Sequence, residues 1–119
     1  MGEVFLGMLG RNSNLFIHWD KQGKHIEAHS NYNPNLNRSI LTSNAQMLLE
    51  LYAGKGEAYE NGEGFNQRER FVHFDIIGFW INKNGTMKIP TTSGIIHYSK
   101  DGGAHIVPAK PQAFKGDDL

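Results

Sequence analysis

Apolar and polar positions alternate most regularly between Ser93 and Val107. Ile95, His97 and Ser99 fall on one face of an extended segment, Ile96 and Tyr98 on the other. Asp101, Gly102 and Gly103 supply the turn, since Asp and Gly accept the positive φ that tight hairpin loops need. The pattern predicts a β-hairpin with His105 on the return strand. A three-residue loop over 101–103 sets Ser99 opposite His105 and His97 opposite Val107. A two-residue loop sets Tyr98 opposite His105 and turns His97 away, and periodicity does not choose between them. Phe71 to Ile81 reads as one long strand, Asn84-Gly85 as a hairpin turn, and Met87 to Ile89 as the start of the return. Pro90 is expected to break or switch that pairing.

The period changes near Ser43 and Asn44, either of which can cap a helix over Ala45 to Tyr52. Met47, Leu48, Leu51 and Tyr52 form its predicted apolar stripe, and Gly54 its stop. Weaker signals precede it: Leu15 to Ile17 as an edge strand, Lys24 to Ile26 as a short strand, and an Asn- and Pro-rich loop from His29 to Arg38. Gly54 to Gly64 is expected to be a flexible loop. The predicted class is α+β, an N-terminal helical region followed by an antiparallel sheet of about four strands. Residues 1–20 are expected as a leader or linker, 21–112 as the domain and 113–119 as a tail.

Composition narrows the function. The chain has 119 residues, enough for one core, and no apolar run approaches the ~18 residues of a membrane span. Glu3 stands where a signal peptide needs positive charge, so no secretory signal and no membrane association are expected. The absence of cysteine removes thiolate nucleophiles, disulfides and Cys-based zinc sites. Twelve Lys and Arg balance 12 Asp and Glu, which argues against a sequence-blind, strongly basic nucleic-acid binder. Six histidines are many for this length and titrate near neutral pH.

Two constellations carry candidate chemistry. His97, Ser99 and His105 share the hairpin and form a candidate acid–base pair with a hydroxyl beside it; exposed strand histidines are the plain alternative. His25 and His29, with Arg38 following, make the second, and with Asp75 they suggest a weaker, metal-binding alternative. Arg38 presents a fork suited to a phosphate. Tyr32, Tyr98 and Phe114 are candidates for base stacking, whereas Phe71, Phe74, Phe79 and Trp80 are expected in the core. His73 and Asp75 share a strand face without further support, and His18, His29 and His73 are read as structural. The Gly54–Gly64 run lacks the Lys-Ser/Thr end of a phosphate loop.

The strings GKHI (Gly23–Ile26), NRSILT (Asn37–Thr42), LLELYAGKG (Leu48–Gly56), RERF (Arg68–Phe71) and IPTTSGIIHYSKDGGAHIVPAKP (Ile89–Pro111) occur in order. Together they resemble the bacterial polymorphic toxin type 50 domain, over roughly Lys21 to Pro111. The chain departs from that pattern at Glu27–Asn31, and at Asn37, where a glycine is usual. The resemblance implies a ribonuclease toxin with a barnase–EndoU–colicin–RelE type of fold. It also favours His25, Arg38, His97 and His105 as catalytic residues. Thr92, Tyr98, Ser99, Lys100 and Lys110 are the expected RNA-binding or transition-state supports. The expected reaction is metal-independent 2′-OH transesterification of RNA, tRNA among the candidate targets, with no cofactor and a bell-shaped pH profile near ~6 to 7. A cognate immunity protein is the expected partner. The domain would be delivered within a larger secreted or phage-type protein and act in the target-cell cytoplasm. A metal-dependent nuclease and a non-catalytic phage structural or adaptor module are the alternatives.

Overall fold

The computed structural model describes residues 15–60 and 67–111 and has an α+β fold. Strands β1 (Phe16–Ile17), β3 (Glu57–Glu60), β4 (Gln67–Val72), β7 (Ser93–Tyr98) and β8 (Gly103–Pro108) form a five-stranded sheet in the order β1-β8-β7-β4-β3. β1 runs parallel to β8, and the other pairs are antiparallel. Strands β2 (Ile40–Leu41), β5 (Gly78–Ile81) and β6 (Lys88–Thr91) make a second, antiparallel sheet. Two helices complete the described elements, α1 (Trp19–Gln22) and α2 (Ala45–Tyr52), with 3₁₀ turns at Gly23–His25 and Pro34–Leu36.

Helix α2 has the bounds its sequence predicts. Asn44 caps it by accepting a hydrogen bond from the Met47 amide at 2.8 Å, and Gly54 ends it with φ of 85°. Its buried stripe is rotated from the expected one, because Ala45, Leu48, Leu49 and Tyr52 follow the i, i+3, i+4, i+7 spacing of a single helix face. Met47 and Leu51 are exposed. The helix packs on β1 and β8, and its leucines join Ile17, Leu41, Phe71, Ile77, Ile96, Tyr98, Ala104 and Ile106 in one core.

The expected strand from Phe71 to Ile81 is instead two strands in different sheets. The chain leaves β4 after Val72 and joins the second sheet at Gly78, while His73 and Ile77 donate backbone hydrogen bonds to Thr92 and Thr91. β6 and β7 change sheets at the same corner. The Thr91 hydroxyl donates to the Ala109 carbonyl and accepts from the Ser93 amide. Pro90 therefore sits on an edge strand, paired with Phe79, and the switch comes just after it. Phe74, expected in the core, lies on this corner and is 88% exposed.

Within the expected glycine-rich loop, Glu57–Glu60 pairs with β4 as an edge strand. A buried carboxylate holds its start: Glu69 accepts from the Gly54 and Gly56 amides at 3.0 and 2.6 Å and from the Tyr98 hydroxyl at 2.5 Å. Burial, and then this bond to Glu69, raise the Tyr98 pKa well above its ordinary value. Part of the expected leader belongs to the packed body, since β1 lies in the sheet with Ile17 in the core. Residues 1–14, 61–66 and the tail from 112 onward, including Phe114, lie outside the described residues.

Candidate active site

The β7–β8 hairpin has neither expected register. Its loop is Lys100–Gly102, with Ser99 donating to the Gly103 carbonyl and Gly102 donating to the Ser99 carbonyl. Gly102 has φ of 93°, the left-handed residue that closes a type I turn with a bulge. The loop thus has three residues but begins one position earlier than expected, which sets His97 directly opposite His105. On the next strand Arg68 pairs with His97. Arg68, His97 and His105 therefore form one row across three strands on the sheet face opposite the core, and Ile96, Ile106 and Glu69 point the other way into burial. The His97 and His105 ring centres are 4.8 Å apart.

His25 reaches the row from the other end of the chain. Gln22, fully buried, grips the backbone of Ile106: its side-chain amide donates to the Ile106 carbonyl at 2.9 Å, and its oxygen accepts from the Ile106 amide at 2.7 Å. This side chain extends the β8 ladder where β1 has ended, and the following 3₁₀ turn lays His25 on His105 with ring centres 6.1 Å apart. His25 Nδ1 lies 2.8 Å from the Ser39 carbonyl oxygen. A carbonyl only accepts, so Nδ1 carries the hydrogen and Nε2 holds the lone pair.

Burial and positive neighbours favour neutral rings throughout. Burial, then the Arg68 guanidinium, then His25 push His97 down to about 4. Burial, then His97, His25, Lys21 and His18 push His105 down to about 3. His25 is also lowered, chiefly by burial and further by Arg38 and Lys24, against the opposing pull of the Ser39 carbonyl. Among the described residues, the charged groups that lower the three rings are cations and other imidazoles, and the Asp101 carboxylate also lines the cleft. Beside the row opens a cleft of about 460 Å³ lined by Lys21, Gln67, Arg68, Ser99, Lys100 and Asp101 as well as by His97 and His105. Lys21 Nζ donates to the Ser99 hydroxyl at 3.3 Å. A stack of neutral imidazoles beside Lys21 and Arg68 can accept protons and hold an anion.

The family model for bacterial toxin 50 matches residues 17–108, from the end of β1 to the end of β8, and so spans the cluster and its cleft. The chain belongs to the bacterial toxin 50 family. No curated protein matches it. As a bacterial toxin 50 domain it fits a role as one part of a larger toxin, and among its described residues no helix is long and apolar enough to cross a membrane.

In this toxin 50 domain His25, His97 and His105 come together, with Arg38 beside His25 and Ser99 and Lys100 at the cleft. Tyr98 is also among the residues lining the cleft, but by strand alternation its ring joins the core and its hydroxyl donates to Glu69. Thr92 and Lys110 sit five residues from His97 and His105, ~16 Å along the strands, at the far end of the hairpin. His29 accepts from the Asn31 amide over Gly23, and His73 bonds Tyr52 at 2.6 Å. Among the described residues no group of three or more His, Asp or Glu side chains is disposed to hold a metal ion, so His25, His29 and Asp75 do not form the set considered from sequence. Lys21, Gln67, Arg68 and Asp101 are cleft residues that the sequence did not single out for the site, and Lys21 and Arg68 are the cations among them. RERF held a signal for Arg68, since alternation puts Arg68 opposite the core-facing Phe71, but its place beside His97 depends on a pairing invisible in one strand.

Proposed function

We propose that this toxin domain is a metal-independent endoribonuclease acting through the ribose 2′-hydroxyl. The observation that carries the reading is the row Arg68–His97–His105, backed by His25, beside a cleft in which Lys21, Arg68 and Lys100 outnumber the single carboxylate of Asp101. An RNA phosphodiester supplies the anion this field favours, and the imidazoles supply proton transfer.

His105 is the general base. It remains unprotonated at neutral pH, and its Nδ1 is buried without a hydrogen-bond partner, which leaves Nε2 to take the 2′-hydroxyl proton. The 2′-oxygen attacks the adjacent phosphorus, the bond from phosphorus to the 5′-oxygen breaks, and that oxygen takes a proton from His97. The products are a 2′,3′-cyclic phosphate and a 5′-hydroxyl. His97 is neutral in the free domain, so its acid form is loaded with the substrate: the phosphodiester charge offsets the Arg68 field and raises the pKa of the ring in the complex. Arg68 and Lys21 stabilise the charge that builds on the phosphorane oxygens, a contribution usually worth ~10²–10³ in rate for each well-placed donor. His25, its Nδ1 fixed on Ser39, holds a second acceptor behind His105. An immunity protein with an acidic surface over the cleft would suit Lys21, Arg68 and Lys100.

The test is total bacterial RNA incubated in EDTA with the parent, with His97→Ala and with His105→Ala. Cleavage by the parent alone, leaving cyclic phosphate ends, supports the reading. Cleavage only after Mg²⁺ or Zn²⁺ is restored would replace it with a metal-dependent nuclease, and no cleavage under either condition would replace it with a non-catalytic module.

A further inference from the structure

The face that carries the histidine row extends one step past it. Going along β8 from His105 toward the turn, the next residue on the same face is Gly103, ~7 Å away. Gly103 pairs with Phe16 on β1 and its carbonyl accepts from the Ser99 amide, just past the end of β7. Residues directly opposite in a sheet project to the same side, so Phe16 stands on the open face while Ile17 enters the core.

The Phe16 ring is seated there. A side-chain carbon on Gly103 would stand only 2.9 Å from Phe16 Cε1 and 3.2 Å from Cζ, so the ring occupies the space the glycine leaves. The residue is nonetheless 44% exposed, which leaves aromatic surface uncovered next to a cleft lined by Lys21, Arg68 and Lys100, with the Asp101 carboxylate also at the Gly103 seat. On β7 and β8 the only rings on this face are imidazoles, because Tyr98 faces the core. Lys21 donates to the Ser99 hydroxyl, and Ser99 stands opposite Gly103, the seat of Phe16.

We propose that Phe16 is a stacking platform for a nucleobase of single-stranded RNA, adjoining the phosphate held at His97 and His105. The proposal rests on the ribonuclease reading and adds a specificity to it. Single-stranded RNA offers free base faces to aromatic side chains, and a duplex has already stacked its own. The seat of the ring at Gly103 lies two residues, ~7 Å, along β8 from His105, so a base on the ring and a phosphate at the histidines can belong to one strand of RNA. Gly103 is part of the platform, since a side chain there would collide with the Phe16 ring.

The test is fluorescence anisotropy of the full chain with a labelled single-stranded RNA carrying 2′-O-methyl riboses, which cannot be cleaved, and with the duplex of the same sequence. Phe16→Ala is expected to weaken single-strand binding about tenfold, within the range one stacked base contributes. Phe16→Trp keeps the affinity, Gly103→Ala reproduces the loss by displacing the ring, and duplex binding is unchanged by any of them. Equal affinity of the parent and Phe16→Ala for the single strand, with thermal melts showing both folded, overturns the platform. Equal losses on single strand and duplex overturn it as well, and so does a parent that binds neither. Cleavable RNA separates the two readings. A parent that cleaves it while Phe16→Ala cleaves equally well sinks the platform alone. A parent that binds the single strand through Phe16 but cleaves nothing sinks the ribonuclease and leaves the platform.

Discussion

Acid should unfold this domain through its histidine cluster before its carboxylates become decisive. His97 and His105 are held neutral in the fold and return to an ordinary pKa near 6.5 when the chain unfolds. Between the two values the unfolded chain binds more protons, so the stabilisation is complete above about pH 6.5 and is lost as pH falls toward the folded values. A ring moved from 6.5 to about 4 contributes about 3 kcal/mol, at ~1.4 kcal/mol per pH unit. His105 is pushed lower, but part of that comes from His97, so the two losses are not additive. Against a typical domain stability of ~5–15 kcal/mol, a loss of about 3 kcal/mol by pH 4 is large. Urea melts of the parent and of His97→Gln at pH 7, 5.5 and 4.5 measure it. The parent should lose stability steeply below pH 6.5, and the variant should lose about 2 to 3 kcal/mol less over the same interval. Parallel curves for the two proteins would refute the claim that burial and Arg68 hold the ring neutral.

Arg68→Gln should move the His97 titration upward from about 4 toward 6.5, read by NMR of the imidazole protons, and lower RNA cleavage by about 10²-fold. An unmoved titration would detach Arg68 from the ring. Tyr98→Phe removes one of three donors to the buried Glu69 and should cost about 1–3 kcal/mol in urea melts, whereas Glu69→Ala strands all three donors and should cost more. Gln22→Ala frees both polar groups of Ile106 and should cost about 2–4 kcal/mol; the loss of the His25–His105 contact should reduce cleavage beyond what the stability change explains. The acid limb of kcat/KM should fall below pH 6.5, because that parameter follows the free domain, and a limb at or above 6.5 would contradict the lowered histidines.

Helix α2 was legible because its signals are local: an Asn cap, a run of seven good helix formers from Ala45 to Leu51 and a glycine with left-handed φ. The facing of its stripe was less so, since Leu51 and Leu49 are chemically alike and only the sheet decides which one is covered. The break in Phe71–Ile81 left little trace in composition, because aromatic and branched residues suit either sheet and the corner is fixed by bonds to Thr91 and Thr92. Of the site, the histidines were readable as residues. Their row was not, because moving the turn by one residue changes which side chains stand opposite. Lys21 and Gln22 act on residues more than 75 positions away, beyond the reach of any local pattern.

The pairing of β1 with β8 sets an order of events during synthesis. Phe16 waits for Gly103 and His25 for His105, so the first elements made complete their contacts only with nearly the last. Contacts of such separation in sequence form slowly. On a ribosome the chain passes through most of its length without β8, and in that interval His25 lacks the His105 ring on which it is laid. A nascent or truncated chain that ends before the hairpin therefore lacks the strand on which helix α2 packs, and it has no assembled histidine cluster until β8 takes its place between β1 and β7.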